Sequence, residues 1–232
     1  MKATVIHGQT HRNMTYMMVQ TFLEELAADQ VDEFFLPKDG PGYCCGCNRC
    51  FMEGESKCKD HEVMERITTS IDSCDVLVLV SPNYVAEVTG QMKVLFDHYA
   101  YRWLSHRPEG SMFRRVGVVI SSSAGASTKS VTKSMARQLT WWGVQKTYVL
   151  GMISHAYTPE DLDPKKRQKM ENKAARIASS IKARGGKAPF NLKVRLLFKV
   201  FRSMQSGKAA WNETDRKYWE GKGWLDKVKP WK

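Results

Sequence analysis

The sequence predicts an α/β protein built on a doubly wound, five-stranded parallel sheet, and three observations carry that expectation. Five short apolar segments alternate with helical ones, and strands joined through helices pair in parallel because each parallel connection needs a crossover. One of the five, Val76-Leu77-Val78-Leu79-Val80, is apolar at every position instead of every second one, as a strand covered on both faces requires. Three polar loops, 7–15, 81–85 and 121–126, each follow a strand, and ligands of open α/β sheets bind at the carboxyl ends of the strands.

The first strand contains Ala3, Val5 and Ile6. It turns through His7-Gly8-Gln9-Thr10-His11-Arg12-Asn13-Met14-Thr15 into a helix whose Thr15, Met18, Val19, Phe22, Leu23 and Leu26 recur at three- and four-residue spacing. A helix start exposes backbone N–H groups without an internal partner, which suits it to anions. A phosphate there meets the N–H groups of residues 12–15, the Thr10 and Thr15 hydroxyls, the Asn13 amide and the charge of Arg12. The same residues also make an ordinary N-capped turn, and the stretch alone leaves both readings open. It has neither of the Gly-rich dinucleotide or P-loop fingerprints, which directs any ligand toward a mononucleotide.

Val31 to Leu36 reads as a second strand and Pro37 to Gly42 as its turn-rich exit. A cysteine segment, 43–59, follows as an insertion. Asp60 is an N-cap candidate for a helix with Met64, Ile67 and Ile71 on one side. After Val76–Val80, the turn Ser81-Pro82-Asn83-Tyr84-Val85 leads into a helix carrying Met92, Leu95, Phe96, Tyr99 and Trp103. Val116 to Ile120 is the fourth strand, ending in Ser121 to Ala126. A helix from Ser127 to Trp142 comes next, with Trp141 and Trp142 as core and Gly143 as its cap. Thr147 to Ile153 is the last strand, and Thr158-Pro159 offers an N-cap and first helical residue for a long helix. Residues 1–187 are expected to form the main domain and 188–232 a basic, Trp-rich helical extension.

With 42% hydrophobic residues in 232, the chain can bury a sizeable core. It has no apolar run near the roughly 18 residues of a membrane span and no signal-peptide core at its start, so a soluble, cytoplasmic protein is expected. The net charge of +12 is unevenly placed: residues 1–164 carry 16 Lys and Arg against 19 Asp and Glu, and residues 165–232 carry 20 against 5. The basicity thus belongs to the tail, which argues against nucleic acid as the partner of the main domain.

The order and content of the three loops resemble those of the flavodoxin-like NAD(P)H-dependent FMN reductases, within them the branch with a compact cysteine motif that includes the iron-sulfur flavoproteins. The resemblance covers residues 1 to about 155. Gly8 and Thr15 match the first loop, while Gln9 stands where Ser is usual and Met14 where a small or polar residue is common. The second loop is the most similar: Ser81-Pro82-Asn83-Tyr84, then Gly90-Gln91-Met92-Lys93 and Phe96-Asp97, with His98 replacing an Arg. The resemblance implies the sheet order 2-1-3-4-5 and an FMN whose phosphate lies on Gln9, Thr10, His11, Arg12, Asn13, Met14 and Thr15. Its ring would lie on Pro82, Asn83, Tyr84 and Val85, reaching Ser122, Ser123 and Gly125. Pro82 stiffens that turn and Tyr84 can lie against a ring; an ordinary strand-to-helix turn with a buried Tyr is the simpler alternative.

Cys44, Cys47, Cys50 and Cys58 form C-x2-C-x2-C-x7-C, with Cys45 inserted. Thiolates so spaced can converge on one centre. The spacing is similar to the cluster motif of the iron-sulfur flavoproteins, but similar segments also occur without a cluster. A four-iron four-sulfur cluster, zinc, and free or exchanging thiols all stay open, and Cys45 and Cys74 read as buried small residues.

In the tail, Phe190, Val194, Leu197, Phe198 and Phe201 share one side of a basic amphipathic helix over 189–204. Packing on its own domain or on a partner is preferred over lying on an anionic membrane surface. Trp211, Tyr218, Trp219, Trp224 and Trp231 suggest that the chain end is docked, and His106 and His155 are read as surface or core residues. The expected function is an FMN-dependent oxidoreductase that takes electrons from NAD(P)H and passes them to a quinone, flavin, nitro-type or protein acceptor. The cofactor does the chemistry, so no catalytic acid or base is assigned. The alternatives are an electron-transfer flavoprotein or thiol redox sensor without NAD(P)H turnover, and a binder of anionic partners. The resemblance also implies a homodimer or homotetramer.

Overall fold

The computed structural model describes residues 1–207, 212–226 and 228–231. Its strands are β1 (Lys2–His7), β2 (Gln30–Phe35), β3 (Val76–Val80), β4 (Val116–Ser123) and β5 (Lys146–Ile153), all parallel in the order β2-β1-β3-β4-β5. The helices are α1 (Met14–Leu26), α2 (Arg49–Met52), α3 (His61–Ser73), α4 (Gly90–His98), α5 (Lys129–Trp141), α6 (Pro164–Lys182), α7 (Leu192–Ser206) and α8 (Glu213–Gly221).

β3 shows why its sequence is apolar throughout. Val76, Val78 and Val80 face a layer made by α1 and α6, where Phe22, Leu26, Ala174 and Ile181 are fully covered. Leu77 and Leu79 face the other layer, with Ile67 of α3, Leu95 of α4 and Leu139 of α5. Successive side chains of a strand point to opposite faces, so a strand between two helical layers needs an apolar residue at each step. A third cluster joins Leu104 and Phe113 to Val194, Phe198, Trp219 and Trp224 of the tail. Trp211 lies outside the described residues.

Several boundaries differ from expectation. β4 continues through Ser121–Ser123, which pair with Gly151–Ile153, because neighbouring β5 extends equally far and satisfies their backbone groups. The long helix starts at Pro164, not Pro159. Asp163 accepts from the N–H groups of Lys165 and Lys166, both at 3.0 Å, so the cap-plus-proline signal is real but sits five residues later. Thr158 instead donates to Asp161 at 2.8 Å in the preceding turn. Asp60 occupies the N-cap position of α3 without a capping side-chain bond. α4 ends at His98, with Tyr99 at its C-cap and Trp103 beyond it. Trp142 caps α5 and is buried, and Gly143 follows at φ +96°, the left-handed region that glycine tolerates. Phe190 precedes α7 and is exposed, so the tail stripe is carried by Val194 and Phe198. Among the described residues no helix is long and apolar enough to cross a membrane.

Candidate functional site

The pairing register brings His7, Val80 and Ile120 side by side, so the loops that leave β1 and β3 start together, beside the last three residues of β4. Gly8 donates to the Val80 carbonyl at 2.7 Å and Ser81 to that of Ile120 at 3.1 Å. Thr89, at the start of α4, donates its hydroxyl to the Gly8 carbonyl at 2.7 Å and accepts from the Met92 N–H at 3.3 Å. A Cβ on Gly8 would stand 2.5 Å from the Thr89 hydroxyl, so only glycine lets the first loop pass this close to α4.

The loops are also tied to one another. Gln9 donates to the Thr15 hydroxyl at 3.0 Å and accepts from the phenol of Tyr84 at 3.0 Å, which joins the first loop to the second. The Asn83 N–H donates to the Ser122 carbonyl at 2.9 Å, and its amide donates to that of Ser127 at 2.8 Å, which joins the second to the third. Tyr84 is about half exposed at the mouth of the sheet. Tyr84 and Glu87 exchange backbone bonds at 3.2 and 3.1 Å around Val85 and Ala86, whose φ values are 53° and 64°. That tight turn normally uses Asn-Gly, and Val85 in it is fully exposed.

The residues fit an anionic mononucleotide. In the first turn of α1, Asn13 accepts from the Met14 N–H at 2.8 Å and the Asn13 carbonyl takes the Met17 N–H, while the N–H groups of Thr15 and Tyr16 have no acceptor within the helix. Arg12 lies beside them, its guanidinium over the rings of Tyr16 and Phe35 at 5.1 and 5.5 Å. Two buried atoms at the strand ends, Oδ1 of Asn83 and Oγ of Ser121, have no hydrogen-bond partner among the described residues, as expected of groups that meet a ligand. Gly125 borders open space. Thr10 and His11 are exposed in the loop, and Pro82 and Ser122 are buried beneath it. The Ser123 hydroxyl donates to the Ala126 carbonyl within the third loop. The side chain of Met14 belongs to the core, so only its backbone faces the site, and the amide of Asn13 is engaged by its cap and by the Tyr157 carbonyl at 3.0 Å.

A fourth loop completes the mouth. Ser154 and His155 donate backbone N–H groups to Ser123 and Ala124, both at 2.9 Å, and Tyr157 is exposed beside the first loop. Its signal was an aromatic-containing turn straight after the last strand. His155 thus lies at the strand ends, whereas His106 bonds Asp215 at 2.7 Å in the tail. Thr89 could have been found as a Thr-Gly helix start.

Cys44, Cys47, Cys50 and Cys58 all line one small cavity against Asp97 and His98 at the end of α4. Left-handed turns at Gly46 and Asn48, φ 66° and 57°, fold the loop around it. The Arg49 backbone N–H holds the Cys47 thiol below its ordinary range, while burial and the neighbouring Cys58 and Cys44 push that of Cys50 up. Cys58 lies 3.6 Å from Nδ1 of His98, whose Nε2 is 2.9 Å from the Gly42 carbonyl. Cys45 also lines the cavity and is exposed, contrary to expectation. Cys74 is fully buried, as expected.

A family model described as NADPH-dependent FMN reductase matches residues 1–158. An iron-sulfur flavoprotein of Archaeoglobus fulgidus is 24% identical over 229 residues, covering 97% of this chain and 100% of that protein. Among solved structures, an FMN-dependent NADH-azoreductase from Bacillus anthracis aligns at a TM-score of 0.57 and 15% identity, over 77% of this chain and 100% of its own. The flavoenzyme NAD(P)H:(acceptor) oxidoreductase FerB from Paracoccus denitrificans aligns at 0.53 and 16%, over 81% and 99%. At such identities the structural likeness speaks for the fold.

Proposed function

We propose, from the premise that the chain belongs to the NADPH-dependent FMN reductase family and is an FMN-dependent NAD(P)H oxidoreductase, that Gln9 to Thr15 hold the FMN phosphate and that Pro82 to Val85 with Ser122, Ser123 and Gly125 hold its ring. The observation that carries this reading is the pair of ties, Tyr84 to Gln9 and Asn83 to Ser122, that fixes three strand-end loops around one mouth. FMN, when bound, supplies acceptance of hydride from the nicotinamide and delivery of electrons to the acceptor. The chain's residues bind and orient. The free N–H groups of Thr15 and Tyr16 and the positive end of α1 favour the phosphate, with Arg12 adding charge. Asn83, whose Oδ1 has no partner among the described residues, would supply an acceptor for a bound ring, and Tyr84 an aromatic face.

The acceptor is a quinone, flavin, nitro compound or redox protein, and a homodimer or homotetramer is the working assembly. Cys44, Cys47, Cys50 and Cys58 are the residues that would hold a four-iron four-sulfur cluster, which would supply one-electron transfer; their shared cavity and the full-length relative of that description support this. The exposure of Cys44, Cys45 and Cys47 supports a second reading, in which the thiols exchange without a metal. Anaerobically purified protein should show flavin bands with broad absorption beneath them and about four irons and four sulfides per chain. A flavin spectrum without iron removes the cluster but leaves the reductase. Failure to bind FMN, or to oxidise NADH or NADPH with a soluble acceptor, overturns the site assignment.

A further inference from the structure

The helix α7 carries two apolar faces, and the described residues cover only one of them. Val194 and Phe198 are 1% exposed in the cluster with Trp219 and Trp224. On the opposite side Leu192, Leu196 and Val200 stand one turn apart at 69%, 58% and 48% exposure, with Phe190 at 63% just before the helix. Residues four apart share one helix face, so these three side chains form a continuous stripe. Lys193 and Lys199 fall on either side of it at helical spacing, and both are exposed. None of the ion pairs among the described residues involves either lysine. The arginines of the same helix face inward instead: Arg195 lies over the rings of Phe190 and Trp231 at 4.4 and 4.7 Å, and Arg202 donates to the Leu225 carbonyl at 3.0 Å.

We infer that this face of α7 docks on an anionic lipid surface, with Leu192, Leu196 and Val200 entering the headgroup boundary and Lys193 and Lys199 contacting acidic headgroups. An apolar stripe bordered by lysines is what an interfacial helix requires, since lysine stems can lie along apolar surface while their ammonium groups stay among headgroups. Charge decides among occupants. A second copy seated symmetrically on this face would bring Lys193 and Lys199 against their own equivalents, within a segment where 20 basic residues meet 5 acidic ones over 165–232. That repulsion becomes attraction on an acidic bilayer. Nucleic acid shares the charge but makes no use of an aliphatic stripe.

The test is sedimentation of the FMN-loaded full chain with vesicles of phosphatidylcholine, with and without phosphatidylglycerol. Binding is expected only with phosphatidylglycerol, weakening as salt rises. The double variant Lys193→Glu/Lys199→Glu should bind roughly 30-fold or more weakly, and Leu196→Glu/Val200→Glu should lose binding, whereas Lys193→Arg/Lys199→Arg should retain it. Because all four positions are exposed, the variants should keep their FMN absorbance and melting temperature, which are recorded alongside. No binding by the unaltered protein overturns the inference, as does equal binding by Leu196→Glu/Val200→Glu. An unaltered dimer that Leu196→Glu/Val200→Glu converts to monomer would assign this face to a second copy and overturn it as well.

Discussion

Val85 and Ala86 hold left-handed backbone angles that their side chains disfavour, and they do so at the mouth of the sheet, next to Tyr84. Strain of this kind persists where surrounding structure enforces it. Replacing the pair by Asn-Gly should raise the free energy of unfolding by about 1–2 kcal/mol, measured by urea denaturation of the apoprotein. If Val85 touches the bound ring, FMN affinity in a fluorescence titration should fall at the same time; an unchanged or lowered stability would show the turn to be unstrained. A second residue sets an alkaline limit. Burial lifts the Cys74 thiol from its ordinary 9.0 to about 11, so its ionisation is disfavoured in the folded state. The associated stability is complete below pH 9 and is lost as pH rises from about 9 to 11, amounting to roughly 2–3 kcal/mol. Melting temperatures should therefore drop across that window, and more gently in Cys74→Ala. A Cys74→Ala profile parallel to that of the parent would remove this account.

Between elements, the notable contact joins the tail to the cysteine segment. Asp215 of α8 is fully buried, and it accepts from Arg107 at 2.5 Å and from its own helix cap, Asn212, at 3.1 Å. Arg107 also donates to the carbonyls of Cys50 and Phe51 in α2, and Thr214 donates to that of Met52 at 2.9 Å. A four-residue helix has little stability of its own, so α2 depends on these partners. Asp215→Asn removes the buried carboxylate from Arg107 and leaves it the half-exposed Glu55, 3.5 Å away, so it should cost about 1–3 kcal/mol. Cys50, half-buried in the parent, should be labelled by thiol reagents faster in this variant than in the parent. Unchanged labelling together with unchanged stability would mean that the pair does not hold α2.

At the scale of the molecule, α7 and α8 are part of the packing of the domain. Phe113 lies edge-on to Phe198 at 5.4 Å and to Trp224 at 6.2 Å, and Leu104 is fully buried in the same cluster. A chain cut after residue 187 would expose this surface together with the end of α5 at Trp141. Large exposed apolar patches promote association. The truncated protein should be recovered mostly as aggregate, or should bind a hydrophobic dye strongly; a soluble, monomeric product with the parent melting temperature would show the sheet domain to be self-sufficient.

Much of this architecture was legible in the residues alone because it rests on local rules. Val76–Val80 reads as a strand covered on two faces, and β1 and β3 end where polar loops begin, which pointed to the proposed site, while β4 runs on through Ser123 into the loop expected at 121–126. Asp163-Pro164 shows the limit of the same rules, since Thr158-Pro159 carries an equivalent signal and nothing local ranks the two; in the structure the helix starts at Pro164, with Leu162 between the two signals buried. What the tertiary structure alone decided are relations between distant segments: Tyr84 reaching Gln9, Thr89 pressing on Gly8, Asp215 closing on Arg107, and Cys58 meeting His98. The periodicity of a sequence records which side of an element is apolar, whereas these contacts depend on the angles and offsets at which whole elements pack, and no local pattern encodes them.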